Sequence, residues 1–184
     1  ELADDTYDAP FGLGSGAGTI FGATGGVMEA ALRTAYFVLE GKEYGEIEFH
    51  QVRGFEGIRE AEFTLGGVNI KVAVASAMKN AKVLMDQIRE GKSPYTFIEI
   101  MGCPGGCING GGQPQVPASV RNFEDYRSLR AKALYDYDAS MPVRKSHENA
   151  SVKKLYEEFF GEPNSHKAHE ILHTSYVERK IHNN

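Results

Sequence analysis

The chain has 184 residues, 41% hydrophobic and 24% charged, with 20 Lys and Arg against 25 Asp and Glu for a formal net charge of −5. That mix suits one globular domain, or one plus a small appendage, and excludes a collagen-like, coiled-coil or wholly disordered chain. The acidic balance argues against nucleic acid as a partner, no apolar run approaches the ~20 residues of a membrane span, and two cysteines cannot build a disulfide framework.

Pro10 to Gly26 (PFGLGSGAGTIFGATGG) holds the first cluster of the chain's 21 glycines. Glycine there lets backbone approach another surface closely or take positive φ. In GGVMEAALRTAYFVLEGKE, Val27, Ala31, Leu32, Ala35, Val38 and Leu39 recur at helical spacing. This predicts a helix over 24–40, opened by Thr24 or a neighbouring Gly and stopped by Gly41. Ile47 to Val52 (IEFHQV) alternates as a strand. EAEFTL, Gly66-Gly67 and VNIKVAVAS read as a β-hairpin. Ser76 is the predicted cap of a helix over 77–90 that ends at Gly91. Tyr95 to Met101 (YTFIEIM) is a short strand running into a second glycine cluster, GCPGGCINGGGQP. Beyond it the pattern turns helical. One amphipathic helix covers Asn122 to Tyr137, capped at Asn122. Another opens at Asn149 or Ser151 and breaks at Glu162-Pro163. A last one, HKAHEILHTSYVERK, opens at Ser165. The sum is an α/β domain, a small mixed or parallel sheet flanked by helices, followed by a helical C-terminal extension.

Cys103 and Cys107 carry the sharpest chemistry. Pro104, Gly105 and Gly106 between them cannot sustain a helix, so both thiols sit on a tight loop after a strand. Two thiolates on such a loop suit iron or zinc, and flanking glycines leave N–H groups free to approach anionic sulfur. A cubane or a structural zinc site wants about four ligands. Two readings stay open on these residues alone: two free thiols or an adventitious disulfide on a glycine-rich turn, or a metal site completed from outside this chain.

The run Met101-Gly102-Cys103-Pro104-Gly105-Gly106-Cys107, followed by Gly110-Gly111-Gly112-Gln113-Pro114, resembles the third cysteine motif of the iron-only (FeFe) hydrogenases. FGATGGVMEA (Phe21 to Ala30) resembles another stretch of that family. GEP at Gly161 to Pro163, with SHKAHEILHT at Ser165 to Thr174, resembles its small-subunit-like tail. The resemblance covers residues 9–180 in order. It implies that residues 1–139 form the second lobe of the H-cluster domain and residues 140–184 the helical extension. It also implies that Cys103 is a ligand of a 4Fe–4S cubane and that Cys107 bridges the cubane to a two-iron subcluster. Met101, Phe21 and Gly22 would line the two-iron site. The implied activity is reversible dihydrogen oxidation and proton reduction, split heterolytically at an open position on the distal iron. The implied partners are the N-terminal half of the same enzyme, ferredoxin or a similar electron carrier, dihydrogen and protons. The family's two earlier cysteine motifs are not in this sequence. The chain is therefore expected to be a fragment, inactive alone, whose cluster is completed by residues outside it. Fusion of the tail implies a cytoplasmic, anaerobic source. A relative without hydrogen turnover, in iron–sulfur assembly or sensing, is the rival.

Two decoys carry less. His169-Glu170-Ile171-Leu172-His173 is a formal HExxH zinc-peptidase signature, with His166 as a third imidazole. It lacks the metzincin continuation, and a docking helix with half-buried histidines is the plainer expectation. Gly12-Leu13-Gly14-Ser15-Gly16-Ala17 fits a dinucleotide loop only loosely, because no hydrophobic strand precedes it. Close packing beside the cluster is the simpler use of these glycines. Lys153-Lys154 and Arg179-Lys180 read as solvated helix faces.

Overall fold

The computed structural model describes residues 2–5, 8, 12, 14–42, 48–55 and 57–178, which fall into two compact units. Residues 14–148 make the larger unit. It contains helices α1 (Gly16–Thr19), α2 (Gly26–Glu40), α3 (Met78–Arg89), α4 (Ala118–Arg121) and α5 (Tyr126–Ser140). Its three strands are β1 (Ile58–Leu65), β2 (Val68–Ser76) and β3 (Phe97–Met101). The expected mixed sheet is present, in the order β1-β2-β3.

β1 and β2 are antiparallel, with Leu65 opposite Val68. The two residues between them, Gly66 and Gly67, both have positive φ (57° and 75°), the conformation a twist-matched two-residue hairpin demands. β3 then pairs parallel to β2, which places Met101 opposite Ser76. From Val72 to Ser76, where it pairs with β3, β2 is buried on both faces, as parallel pairing requires. Val72 and Val74 join Met28 and Leu32 of α2 on one face. Ala73 and Ala75 meet Leu84 of α3 on the other, with Ile98 of β3 packed beside them. Small alanines there let α3 lie close to the sheet.

α5 closes the unit at a third site. Ala131 packs with Ala23 and Ile108, and Leu134 and Tyr135 lean on the same cluster. Gly16 is needed in α1 because a Cβ there would come within 2.0 Å of the Asp138 carboxylate and 3.0 Å of its Cα. That close packing is against α5, whereas an added Cβ at Gly14 would meet nothing within 4 Å. Pro10, Phe11 and Leu13 of the run lie outside the described residues.

Four sequence expectations need correcting. Residues 48–52 form no strand; Phe49 and Val52 enter the core from a 3₁₀ turn at His50–Val52, and residue 47 lies outside the described residues. Their spacing of three suits that turn, and the alternation was incidental. Ser76 does not cap α3. It is the last residue of β2, and Ala77 (φ 69°) makes the cap position with no side-chain hydrogen bond. α5 begins at Tyr126, where Asp125 accepts from Ser128 N–H, rather than at Asn122. The last helix, α7, covers only His166–Leu172, and residues 173–178 have no regular structure. Arg179 and Lys180 lie outside the described residues.

The smaller unit comprises the described residues of 1–13 and 149–184. α6 (Ala150–Leu155) is capped by the Asn149 side chain and continues into a π turn, Tyr156–Phe160, that ends at Gly161 (φ 86°). α7 is capped by Ser165, and Lys167 lies 3.4 Å over the Phe159 ring. Gly12 (φ 72°) faces Ser151, where a Cβ would meet the hydroxyl at 2.2 Å.

Candidate metal centre

β3 delivers the chain at Met101 into a loop that turns twice on glycine. Gly105 (φ 88°) and Gly106 (φ 99°) occupy backbone conformations that side chains resist. Gly106 N–H donates to Cys103 O at 2.9 Å, and Cys107–Asn109 then forms a 3₁₀ turn closed by Gly110 N–H on Cys107 O at 3.0 Å. Both thiols are free and exposed. Gly110 packs beside both cysteines: a Cβ there would stand 3.9 Å from Cys103 Sγ and 3.3 Å from Cys107 O.

The loop is gripped by its surroundings. Ala77 N–H donates to Met101 O at 2.8 Å, and Gly105 N–H donates to Ser76 Oγ at 3.1 Å. Gly105 O accepts from Thr24 N–H at 3.2 Å. Gly106 touches the same turn so closely that a Cβ would lie 2.5 Å from Gly22 O. On the far side, Asn109 Nδ2 donates to Pro104 O and Tyr126 OH donates to Asn109 Oδ1, each at 3.1 Å. Arg130 donates to Ile108 O and Pro114 O, both at 2.8 Å.

The structure thus brings Gly22 and its neighbours against the loop of Cys103 and Cys107. Phe21, 44% exposed, sits on the adjoining 3₁₀ turn Ile20–Gly22. A Cβ on Gly22 would meet Leu134 Cδ1 of α5 at 2.7 Å, so that side chain would have to shift. Met101 is half-buried at the end of β3. Two accessible thiols on one braced loop fit a two-thiolate share of an iron–sulfur centre. Among the described residues no group of three or more His, Cys, Asp or Glu side chains is gathered to hold a metal, so a four-ligand centre on these thiols would need further donors.

The histidines of the HExxH stretch are placed differently from expectation. His169 and His173 are exposed rather than half-buried, because α7 ends at Leu172 and turns only Ala168 inward. Their rings stand 4.7 Å apart, and among the described residues no third ligand joins them.

Sequence reasoning overlooked the buried charges behind the site. Arg33 (2% exposed) pairs with Glu29 at 2.8 Å and Asp138 at 2.9 Å. Arg53 reaches Glu29 at 2.7 Å, and Arg144 reaches Asp138 at 2.7 Å and Glu48 at 3.2 Å. Burial opposes ionisation of Asp138, but the hydrogen bonds from Arg33 and Arg144 prevail and hold its carboxyl below the usual range. Glu48 is likewise lowered: burial works against it and the Arg144 hydrogen bond and Arg53 charge outweigh that. Tyr135 lies under Arg53, whose guanidinium carbon is 3.9 Å from the ring centre, and burial pushes its phenol well above the ordinary range. Glu99 is also buried, and its available sign was a charged residue in the middle of the β-rich run YTFIEIM.

The family model described as iron-only hydrogenase large subunit, C-terminal domain, matches residues 1–111. The chain belongs to the iron-only hydrogenase family. A second model, iron hydrogenase small subunit, matches residues 124–179. Iron hydrogenase 1 of Clostridium pasteurianum is 46% identical over 176 residues, covering 96% of this chain and 31% of that protein. Cytosolic iron-sulfur assembly component 3 of Mus musculus is 31% identical, covering 84% of this chain and 31% of its own length. The solved FeFe-hydrogenase HydA1 of Chlamydomonas reinhardtii, in variant form, superposes with a TM-score of 0.67 at 38% identity, covering 96% of this chain and 50% of that one. The chain therefore spans about a third of the length of these curated relatives. Among its described residues no helix is long and apolar enough to cross a membrane.

Proposed function

We propose that this chain supplies Cys103 and Cys107 to the H-cluster of an iron-only hydrogenase, the remaining donors coming from other segments of the same enzyme. The observation that carries the reading is the pair of free, exposed thiols on a loop braced against the Phe21–Thr24 turn. In this reading Cys103 and Cys107 would hold the 4Fe–4S cubane, with the Cys107 thiolate also serving the two-iron subcluster. When bound, that group supplies the chemistry of reversible dihydrogen cleavage. The chain's own contribution is anchorage and enclosure. The glycine turns fix the thiol spacing, while Phe21, Gly22 and Met101 wall the pocket and keep water out. The catalytic lobe spans residues 1–139 and the helical extension residues 140–184. A ferredoxin-type carrier exchanges the electrons, and fusion of the extension favours a cytoplasmic setting.

Cys107→Ser in the complete enzyme tests the reading. Loss of hydrogen turnover together with loss of the two-iron complement is expected, and wild-type turnover would overturn it. The mouse relative's role in iron–sulfur assembly supports a second reading, in which the same thiols hold iron without hydrogen chemistry. Anaerobically prepared wild-type enzyme that binds iron at these cysteines yet neither consumes nor evolves dihydrogen would favour that one.

A further inference from the structure

Glu99 is a buried carboxylate (5% exposed) in β3, two residues before Met101 and four before Cys103. Alternation along a strand puts Glu99 and Met101 on one face. Glu99 pairs with Val74, which packs toward α2, whereas its neighbour Ile98 packs on the α3 side. The carboxylate therefore points to the start of α2. There Oε1 accepts from Gly25 N–H and Oε2 from Met28 N–H, both at 2.7 Å. Gly25, the residue before α2, has φ 89° and no side chain with which to cap the helix. The first N–H groups of a helix lack partners within it, and the positive end of its dipole favours an anion. Glu99 supplies the missing acceptors from 71 and 74 residues away in sequence.

This clamp is one of two ties between the same two segments. The other is Thr24 N–H on Gly105 O, with Gly106 seated on Gly22 O. Residues 22–28 and 99–106 are thus joined at separated points, and a second tie removes the freedom to pivot about the first. A local helix cap would not span the root of the thiol loop and the root of the Phe21 turn together.

We propose that Glu99 is a positioning residue for the metal centre: by clamping Gly25 and Met28 it fixes the Phe21–Thr24 turn against the thiol loop, and so sets where Phe21 and Met101 stand relative to Cys103 and Cys107. This rests on the function proposed above. Burial raises the Glu99 carboxyl, with the two backbone donors opposing the rise, in keeping with a group used for its geometry rather than for exposed charge.

The test uses the complete enzyme carrying Glu99→Gln or Glu99→Ala, with Leu84→Ala as a control that weakens the α3 side of the sheet. In the loaded enzyme, turnover is expected to fall by as much as ~10²-fold, the scale of a 1 Å misplacement, and the spectrum of the iron centre to shift. In the metal-free enzyme, the alkylation rates of Cys103 and Cys107 are expected to depart from wild type. Leu84→Ala should lower the thermal midpoint while leaving spectrum and alkylation rates unchanged. Wild-type spectra and alkylation rates in Glu99→Gln would overturn the proposal. So would equal changes in the Leu84→Ala control. If Glu99→Ala does not fold, Glu99→Gln, which keeps one acceptor oxygen, decides the matter. Absence of iron from wild-type enzyme would defeat the proposed function instead, and the alkylation rates would still judge Glu99.

Discussion

The thiol loop and the Arg33 cluster lie in the same unit and are rigid for opposite reasons. The loop is held mainly through backbone, by glycines that let two chain segments touch and by N–H groups that tie them, and its thiols stay exposed. The cluster is held mainly by side chains, with Arg33 also donating to the backbone carbonyl of Arg144 at 2.8 Å. Three arginines and three carboxylates interlock α2, α5 and the segments at 48–53 and 144, with Arg33, Glu29 and Asp138 withdrawn from solvent. A site that must hand its reactive atoms to something else needs the first kind of construction. A joint that only has to stay closed can use the second.

The comparison breaks most sharply at the thiols. Cys103→Ser should remove iron and turnover from the complete enzyme while leaving the thermal midpoint close to that of metal-free wild type, since an exposed Sγ contributes little packing and stabilisation by bound iron is absent from both; iron analysis and calorimetry read the two effects. Arg33→Met should do the reverse. It leaves Glu29 and Asp138 buried with one arginine fewer, a change that costs about 3–5 kcal/mol, measurable as a lowered denaturation midpoint with the iron spectrum retained in whatever folds. Gly106→Ala falls between them. A side chain at φ 99° facing Gly22 O costs about 1–3 kcal/mol and should displace the thiols, so stability and turnover fall together. The pH dependence separates the carboxylates. Asp138 and Glu48 have lowered pKa values, so their stabilisation is present above the unfolded value of about 4 and is lost as pH falls through the folded values. Glu99 runs the other way: with a raised pKa its contribution is complete below the unfolded value and erodes as pH rises through the folded one. Asp138→Asn should therefore flatten the acid limb of a stability–pH curve, and Glu99→Gln should remove a loss on its neutral side. The smallest change is Lys132→Ala. It breaks an exposed pair with Asp136 and should alter stability by less than about 0.5 kcal/mol.

Local chemistry was legible in the sequence, and long-range chemistry was not. The Gly66-Gly67 hairpin, α2 with its Gly41 stop, and the loop between Cys103 and Cys107 follow from residues close together in the chain. The resemblance to iron-only hydrogenases rested on the same kind of contiguous run. Ser76 was misassigned because a serine before a helix is usually its cap, whereas here strand pairing with Met101 and the Gly105 N–H claim it first. His169 and His173 were expected to be half-buried because helical spacing was extended past Leu172, where α7 stops. Arg33 and Asp138 lie 105 residues apart, and no periodicity links them. A charged residue at an inward position, as Glu99 is in YTFIEIM, was the readable hint of a partner elsewhere.

The parallel pairing of β3 with β2 also bears on synthesis. The β1–β2 hairpin closes across two residues, whereas the Glu99 clamp must wait for α2, the hairpin and α3 all to have left the ribosome. Contacts of long sequence separation close late, so the cysteine turn takes its final form near the end of folding of this unit. Iron delivered to nascent chains would meet two thiols on a slack strand; iron delivered after release would meet a finished seat.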